Sequence, residues 1–321
     1  MSTESTARAA ASIDFAFVPR PAGLDPVVAA APGGTLDFLA IKTLDGEAMN
    51  AGLWRPANRA AAETPLVVVI HGSGSNFGKL PNRALGQGLS ALGYAALGIN
   101  TRQHDDGVCR ENFFHIRSDI EAAVYVARAL GHRELVLLGH SLGNIQALFY
   151  AATSWAQDIK AIVLCGMFAD LAWKSRHILT QNENEFRALT DAAMKAVAEG
   201  KPAEILPVAM GWMGMVRVPA NAQHVLTYRV EATSASDGTF WIKRAPYPIL
   251  MVRDEADGII LDFEPYMLLS AATAEGSLVQ GIEYVKLANP RPPAPENHVF
   301  THTHAQLVDT VGNWLAARKI R

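Results

Sequence analysis

The chain has little cysteine: two residues in 321, Cys109 and Cys165, with no paired spacing of the kind that holds a metal. Cys165 lies in an apolar run and reads as a small core residue. There is no run of eighteen apolar residues, so no membrane-spanning helix is expected. Net charge is small, with 28 Lys and Arg against 31 Asp and Glu. That balance implies no polyanion partner and so no nucleic acid. The first twelve residues, MSTESTARAAAS, contain no apolar stretch of the kind a secretory leader needs. They read as a disordered tail, and a cytoplasmic location is the expectation. No internal repeat is present.

What the chain does have is enough length for a large core and a regular alternation of strand and helix signals. Residues 13–17 read as a short strand or a docked arm, and residues 19–34, rich in Pro, Gly and Ala, as a loop. Residues 35–43 and 47–54 alternate as two strands around an Asp45-Gly46 hairpin signal. Apolar runs at 65–70, 94–99, 135–138, 160–166, 247–252 and 281–287 have the length of buried strands. Helical spacing appears at 80–92, 113–130, 263–274 and in a last helix carrying Leu307, Val311, Trp314 and Leu315. The alternation predicts an α/β fold with a doubly wound, mostly parallel sheet. Between residues 167 and 244 the pattern changes. Helices are expected over 183–199, 202–212 and 222–230, with no strong buried strand.

The stretch that organises the rest is residues 134–150, ELVLLGHSLGNIQALFY. An apolar strand runs straight into Gly139-His140-Ser141-Leu142-Gly143 and then into a helix. A G-x-S-x-G pattern at a strand-to-helix corner is a nucleophile elbow, with the serine hydroxyl carried at the tip. The two glycines remove Cβ atoms where strand and helix approach. A serine that only caps the following helix is the bland alternative.

With this elbow the chain resembles the α/β-hydrolases of the serine type. The resemblance spans almost everything from Thr35 to the C-terminus. It implies a core at residues 35–167 and 245–321, a tail and loop at 1–34, and a helical cap inserted at 168–244. It implies an oxyanion hole whose N–H donors are Ser73, in the His71-Gly72-Ser73 loop, and Leu142, the residue after the nucleophile. The His71 ring itself reads as structural. Asp257 takes the position of the triad acid, with Asp254 as the alternative. His298 takes the position of the base, ahead of His302 and His304, which fall at the start of the last helix. The order Ser141, Asp257, His298 is that of the family. Asn100 and Gln103 stand where many relatives carry Asp-x-Arg-Gly, a change that does not touch the chemistry.

The implied activity is hydrolysis of a carboxylic ester, through an acyl-enzyme, on a small-molecule, partly apolar substrate. Amidase, lactonase, carbon–carbon bond hydrolase and acyltransferase chemistry use the same triad. A non-catalytic ligand receptor is the remaining alternative. No cofactor and no metal are expected. The His298/His302/His304 group lacks a motif such as H-E-x-x-H, and the His104/Asp105/Asp106 group reads as a polar loop. Trp173, Phe186, Met210, Trp212, Met213, Met215, Phe240 and Trp241 divide between cap packing and pocket lining. The sequence names neither the substrate nor the oligomeric state.

Overall fold

The computed structural model describes residues 12–180, 182–212 and 216–320. The expected tail therefore falls, apart from Ser12, outside the described residues, as do Met213 and Met215. The chain opens with β1 (Asp14–Val18), β2 (Thr35–Lys42) and β3 (Ala48–Arg55), the last two joined by the expected hairpin. Alternation follows: β4 (Leu66–Ile70), α1 (Asn82–Ala91), β5 (Ala95–Asn100), α2 (Ile116–Ala129), β6 (Leu135–His140), α3 (Leu142–Ser154) and β7 (Ile159–Cys165).

Between β7 and the next sheet strand lie α4 (Leu171–Lys174), α5 (Glu183–Ala198), β8 (Met210–Trp212), β9 (Val216–Val218), α6 (Ala222–His224) and α7 (Gly238–Ile242). The chain then returns with β10 (Ile249–Asp254), α8 (Glu264–Thr273), β11 (Ile282–Leu287) and α9 (His304–Ala317).

Among the described residues the main sheet has nine strands, in the order β1-β2-β3-β5-β4-β6-β7-β10-β11. Every pairing from β5 to β11 is parallel, and the three pairings that bring in β1, β2 and β3 are antiparallel. The apolar runs are continuous because helices cover both faces. Leu66, Val68 and Ile70 of β4 pack with α2 and α3, while Val67 and Val69 pack with α1 and α9. The sheet order places the C-terminal ends of β4, β6, β7 and β10 side by side, where parallel α/β sheets carry their sites. Among the described residues no helix is long and apolar enough to cross a membrane.

The helix expected over residues 202–212 does not form. Pro207 lacks the N–H that a helix interior requires. Leu206 instead donates its N–H to the Ala220 carbonyl, Ile205 bridges Asn221, and Met210–Trp212 pairs with Val216–Val218 as an antiparallel hairpin. This inserted segment has its own apolar cluster, built on Phe186, Leu189, Leu206, Met210 and Val225, and the Cys109 side chain of the core joins it. Two of its helices run into π-helical turns, Ser175–Leu179 and Val225–Arg229. Such wide turns are rare and often border functional sites.

Candidate active site

The elbow is held in a conformation that side-chain-bearing residues seldom adopt. Ser141 has φ 55° and ψ −123°, a backbone region that persists only when the surroundings enforce it. Those surroundings are visible. The Ser141 N–H donates to the Cys165 carbonyl at 2.9 Å. Asn144, one turn into α3, clamps the same β7 residue from both sides: its Nδ2 donates to the Cys165 carbonyl at 2.9 Å, and its Oδ1 accepts the Cys165 N–H at 3.0 Å. A Cβ on Gly139 would lie 2.4 Å from the Gly143 carbonyl oxygen, and one on Gly143 would lie 2.4 Å from that of Ile70. The corner is possible only with glycine at both places.

His298 lies between the serine and an aspartate. Its Nε2 is 2.8 Å from Ser141 Oγ, and its Nδ1 is 2.9 Å from Asp257 Oδ2. A carboxylate on Nδ1 makes that nitrogen the proton bearer and leaves Nε2 to accept from the serine hydroxyl. The other Asp257 oxygen accepts the N–H groups of Ile259 at 2.8 Å and Ile260 at 3.1 Å. Burial acts to raise the Asp257 pKa. The His298 ring and those two N–H groups outweigh it and hold the carboxyl below its ordinary range. All three side chains are buried, and Ser141 retains 8% exposure, the part that faces the cavity described below.

The alternatives weighed from sequence lie elsewhere. Asp254 accepts from Thr303 Oγ1 at 2.6 Å and from Asn289 Nδ2 at 3.0 Å, which ties the end of β10 to the start of α9. His302 and His304 are exposed. Asp105 is held by Lys79 at 2.8 Å and Asn76 at 2.9 Å. His71 is fully buried. Its Nδ1 donates to the Gly72 carbonyl at 2.6 Å, and its Nε2 accepts the Thr101 N–H at 3.0 Å. Burial lowers its pKa to about 4, so the ring is neutral and braces the loop.

That loop passes directly beside the elbow. A Cβ on Gly72 would sit 2.6 Å from the Ser141 Cβ. The next residue, Ser73, and Leu142 both line a cavity of about 140 Å³ that also exposes Ser141 and His298. Leu142 is the first residue of α3, where helix geometry leaves the N–H without an intrahelical acceptor.

Several contributors carry no sequence signal. His140, the variable residue of the elbow, is buried with its ring 5.0 Å from that of His298. Its Nε2 donates to the His298 carbonyl at 3.0 Å. Burial, with His298 beside it, pushes its pKa down to about 3. From the inserted segment come Lys174, Trp212 and Arg229, all lining the cavity. Trp212 Nε1 donates to Ser73 Oγ at 3.0 Å. Of the eight bulky residues singled out from sequence, Trp212 lines the cavity. Phe186 and Met210 pack inside the segment, Trp173 packs on Phe263, and Trp241 packs on Phe149.

Comparison with known proteins gives the same architecture. Residues 65–260, more than half of the chain, match the family described as alpha/beta hydrolase fold. No curated protein matches the sequence. Among solved structures, Est1E from Butyrivibrio proteoclasticus with bound ferulic acid is 18% identical with a TM-score of 0.63, covering 86% of this chain and 98% of that one. A thermostable carboxyl esterase from Bacillus coagulans in complex with glycerol is 16% identical with a TM-score of 0.63, covering 88% and 98%. A hypothetical protein from Pseudomonas aeruginosa is 16% identical with a TM-score of 0.66, covering 93% and 98%.

Proposed function

The chain belongs to the α/β hydrolase fold family, and from that premise we propose that it is a serine hydrolase that cleaves a carboxylic ester. One observation carries the reading: a single imidazole within hydrogen-bond reach of both a strained elbow serine and a buried carboxylate. A serine hydroxyl is a poor nucleophile until a base takes its proton. His298 Nε2 takes that proton as Oγ bonds to the substrate carbonyl carbon. Asp257 holds the ring's orientation and stabilises the imidazolium. The carbonyl oxygen becomes an oxyanion that the Ser73 and Leu142 N–H groups receive; each such donor is worth about 10²–10³ in rate. Protonated His298 then gives its proton to the leaving alcohol, and an acyl-enzyme remains. Water, deprotonated by His298, releases the acid and the serine.

Residues 168–244 act as a cap in this reading, since Lys174, Trp212 and Arg229 line the cavity that exposes Ser141. The cavity, about 140 Å³, matches the size that accepts one benzene ring. It fits a short acyl chain or a single ring, with Leu142, Leu171 and Ile259 as its apolar wall. The names of two structural neighbours, an esterase and a protein crystallised with ferulic acid, point the same way. Amides, lactones and acyl transfer use the same groups and are separated by assay. A cytoplasmic location belongs to this proposal.

The test is a burst experiment with short p-nitrophenyl esters, acetate to hexanoate, alongside fluorophosphonate labelling. The wild type is expected to show a stoichiometric burst and a single labelled residue, Ser141. Ser141→Ala should lose both, with turnover down by about 10⁶, the cost of losing the serine in another serine hydrolase. Near wild-type turnover in that variant would end the proposal.

A further inference from the structure

We infer that Lys174 is a positioning residue for the loop that carries Asp257, so that the inserted segment sets the geometry of the triad it covers. The inference rests on the serine-hydrolase reading above. Lys174 ends α4, yet its side chain is only 3% exposed. Its ammonium donates to the Ile259 carbonyl at 2.7 Å and to Glu264 Oε2 at 2.6 Å, and it stands 4.6 Å from the centre of the Phe168 ring. Ile259 is the residue whose N–H holds Asp257 Oδ1 at 2.8 Å. One side of this residue grips the catalytic carboxylate, and the other is gripped by the lysine. Glu264 completes the frame. Its Oε2 also accepts the Leu261 N–H at 2.7 Å, and its Oε1 accepts the Ala169 N–H at 3.3 Å. The hydrogen bonds run unbroken from α4 through Lys174, Ile259, Asp257 and His298 to Ser141.

Fold stability alone does not account for this arrangement. A buried lysine–carboxylate pair is often worth no more than an apolar pair of the same volume, because both ions must be stripped of water. What the pair does that a leucine and a methionine cannot is fix the direction of the Ile259 carbonyl, and with it the carboxylate. Arg253 braces the same loop from the sheet side, donating to the Ile260 carbonyl at 2.8 Å. Without Lys174 the loop keeps that support and loses the one facing the cavity.

Lys174→Met alone would leave Glu264 as a lone buried charge and lower stability for that reason. The pair is therefore replaced together. Lys174→Met/Glu264→Leu removes both charges and the donor to Ile259, and it also leaves the Leu261 and Ala169 N–H groups without an acceptor that Glu264→Gln retains in its amide oxygen. Lys174→Gln/Glu264→Gln is equally neutral but keeps an N–H that can reach toward Ile259. Both are assayed with p-nitrophenyl acetate, with thermal melting and near-ultraviolet circular dichroism as checks of folding. The Met/Leu variant is expected to melt cooperatively and to lose tenfold or more in kcat. Its Ser141 labelling rate should fall in proportion. The acid limb of its kcat/KM profile should move to lower pH by half a unit or more, since a misaligned Asp257 supports the His298 imidazolium less. Asp257 and the neutral His140 lie against that ring, Arg229 and Lys174 share the cavity it lines, and in these variants only Lys174 and its partner Glu264 change. The Gln/Gln variant should recover part of both effects. Wild-type kcat and an unmoved acid limb in Met/Leu would overturn the inference. So would a loss of kcat matched by fewer labelled sites with the limb unmoved, which would assign the pair to folding. If wild-type Ser141 itself resists labelling, the serine-hydrolase reading fails and the inference falls with it.

Discussion

The sheet core and the inserted segment meet at one cavity but prepare their side chains in opposite ways. Around Ser141 the core buries two of its histidines neutral. His71 and His140 have pKa values lowered to about 4 and about 3 by burial. The inserted segment brings Lys174 and Arg229 to the same cavity, and Lys174 is neutralised by a partner, Glu264. Neutral burial suits parts that must not move or titrate as the reaction proceeds. A paired charge suits a part that has to be directional, because an ammonium can hold a carbonyl and a carboxylate at once. On the proposed function, the core supplies the chemistry of this site and the inserted segment supplies its fit and alignment. If that division holds, core substitutions should cost orders of magnitude more in rate than substitutions in the segment.

The sharpest test of the core half lies within one loop. Asp257→Asn leaves the shape intact but replaces the acceptor on His298 Nδ1 with a group that can donate, which favours the wrong tautomer. A drop of about 10⁴ in kcat is expected. Asp254→Asn, three residues earlier, removes an acceptor for Thr303 and Asn289. It should cost about 1–3 kcal/mol of stability and leave kcat within a few-fold of wild type. Denaturant titration and steady-state kinetics on the two variants separate the roles. Equal kcat losses would break the assignment of Asp257 as the acid.

How far the sequence reached follows the same division. The strands were readable because burial on both faces makes their apolar runs continuous, as in Leu66–Ile70. The elbow was readable because its strand, its G-x-S-x-G corner and its helix are contiguous in the chain, although only Gly139 is demanded by a local contact, Gly143 being demanded by Ile70 at the end of β4. Asp257 and His298 were placed by resemblance, through their positions in the chain, and the fold brings both side chains to Ser141. The inserted segment was readable only in part: helix forms at Glu183–Ala198 and, as an α turn running into a π turn, over 222–229, where it was expected, but not over 202–212. Residues 202–212 have helix-like apolar spacing, but pairing with residues 216–221 overrides it, and Pro207 blocks the helix. Lys174 gives no warning either, since an isolated lysine in a short helix is ordinarily solvated. What buries it is Glu264, ninety residues on. His140 sits inside the motif, yet its partner is the carbonyl of His298, far along the chain.

The neutral histidines make a prediction about acid stability. The unfolded chain protonates them near the ordinary histidine pKa, about 6.5, while the folded chain does not until about pH 4 for His71 and about pH 3 for His140. As pH falls through that window the unfolded state binds more protons, so folding free energy declines. The contribution of each histidine between pH 7 and pH 5 is roughly 2 kcal/mol. His140→Gln keeps an N–H for the His298 carbonyl and removes the titrating group. The difference in unfolding free energy between pH 7 and pH 5 should therefore shrink by about 2 kcal/mol relative to wild type. Urea titrations at the two pH values measure it. An unchanged difference would mean that His140 is charged in the folded protein, and the contrast drawn above would lose half its basis.

The smallest effect tests the segment's reach toward the oxyanion side. Trp212 donates its ring N–H to Ser73 Oγ, the residue whose backbone N–H is assigned to the oxyanion. Trp212→Phe removes that donor and keeps an aromatic wall. A neutral hydrogen bond of this kind contributes about 0.5–1.5 kcal/mol. Rate loss should therefore stay at or below about tenfold. The loss should appear in kcat more than in KM if the bond serves mainly to hold the Ser73 peptide for the transition state. A loss in KM alone would make Trp212 a substrate wall and nothing more. A loss approaching that of Asp257→Asn would mean that the oxyanion loop has no rigidity of its own, and the line between a chemical core and an aligning segment would have to be redrawn with Trp212 on the chemical side.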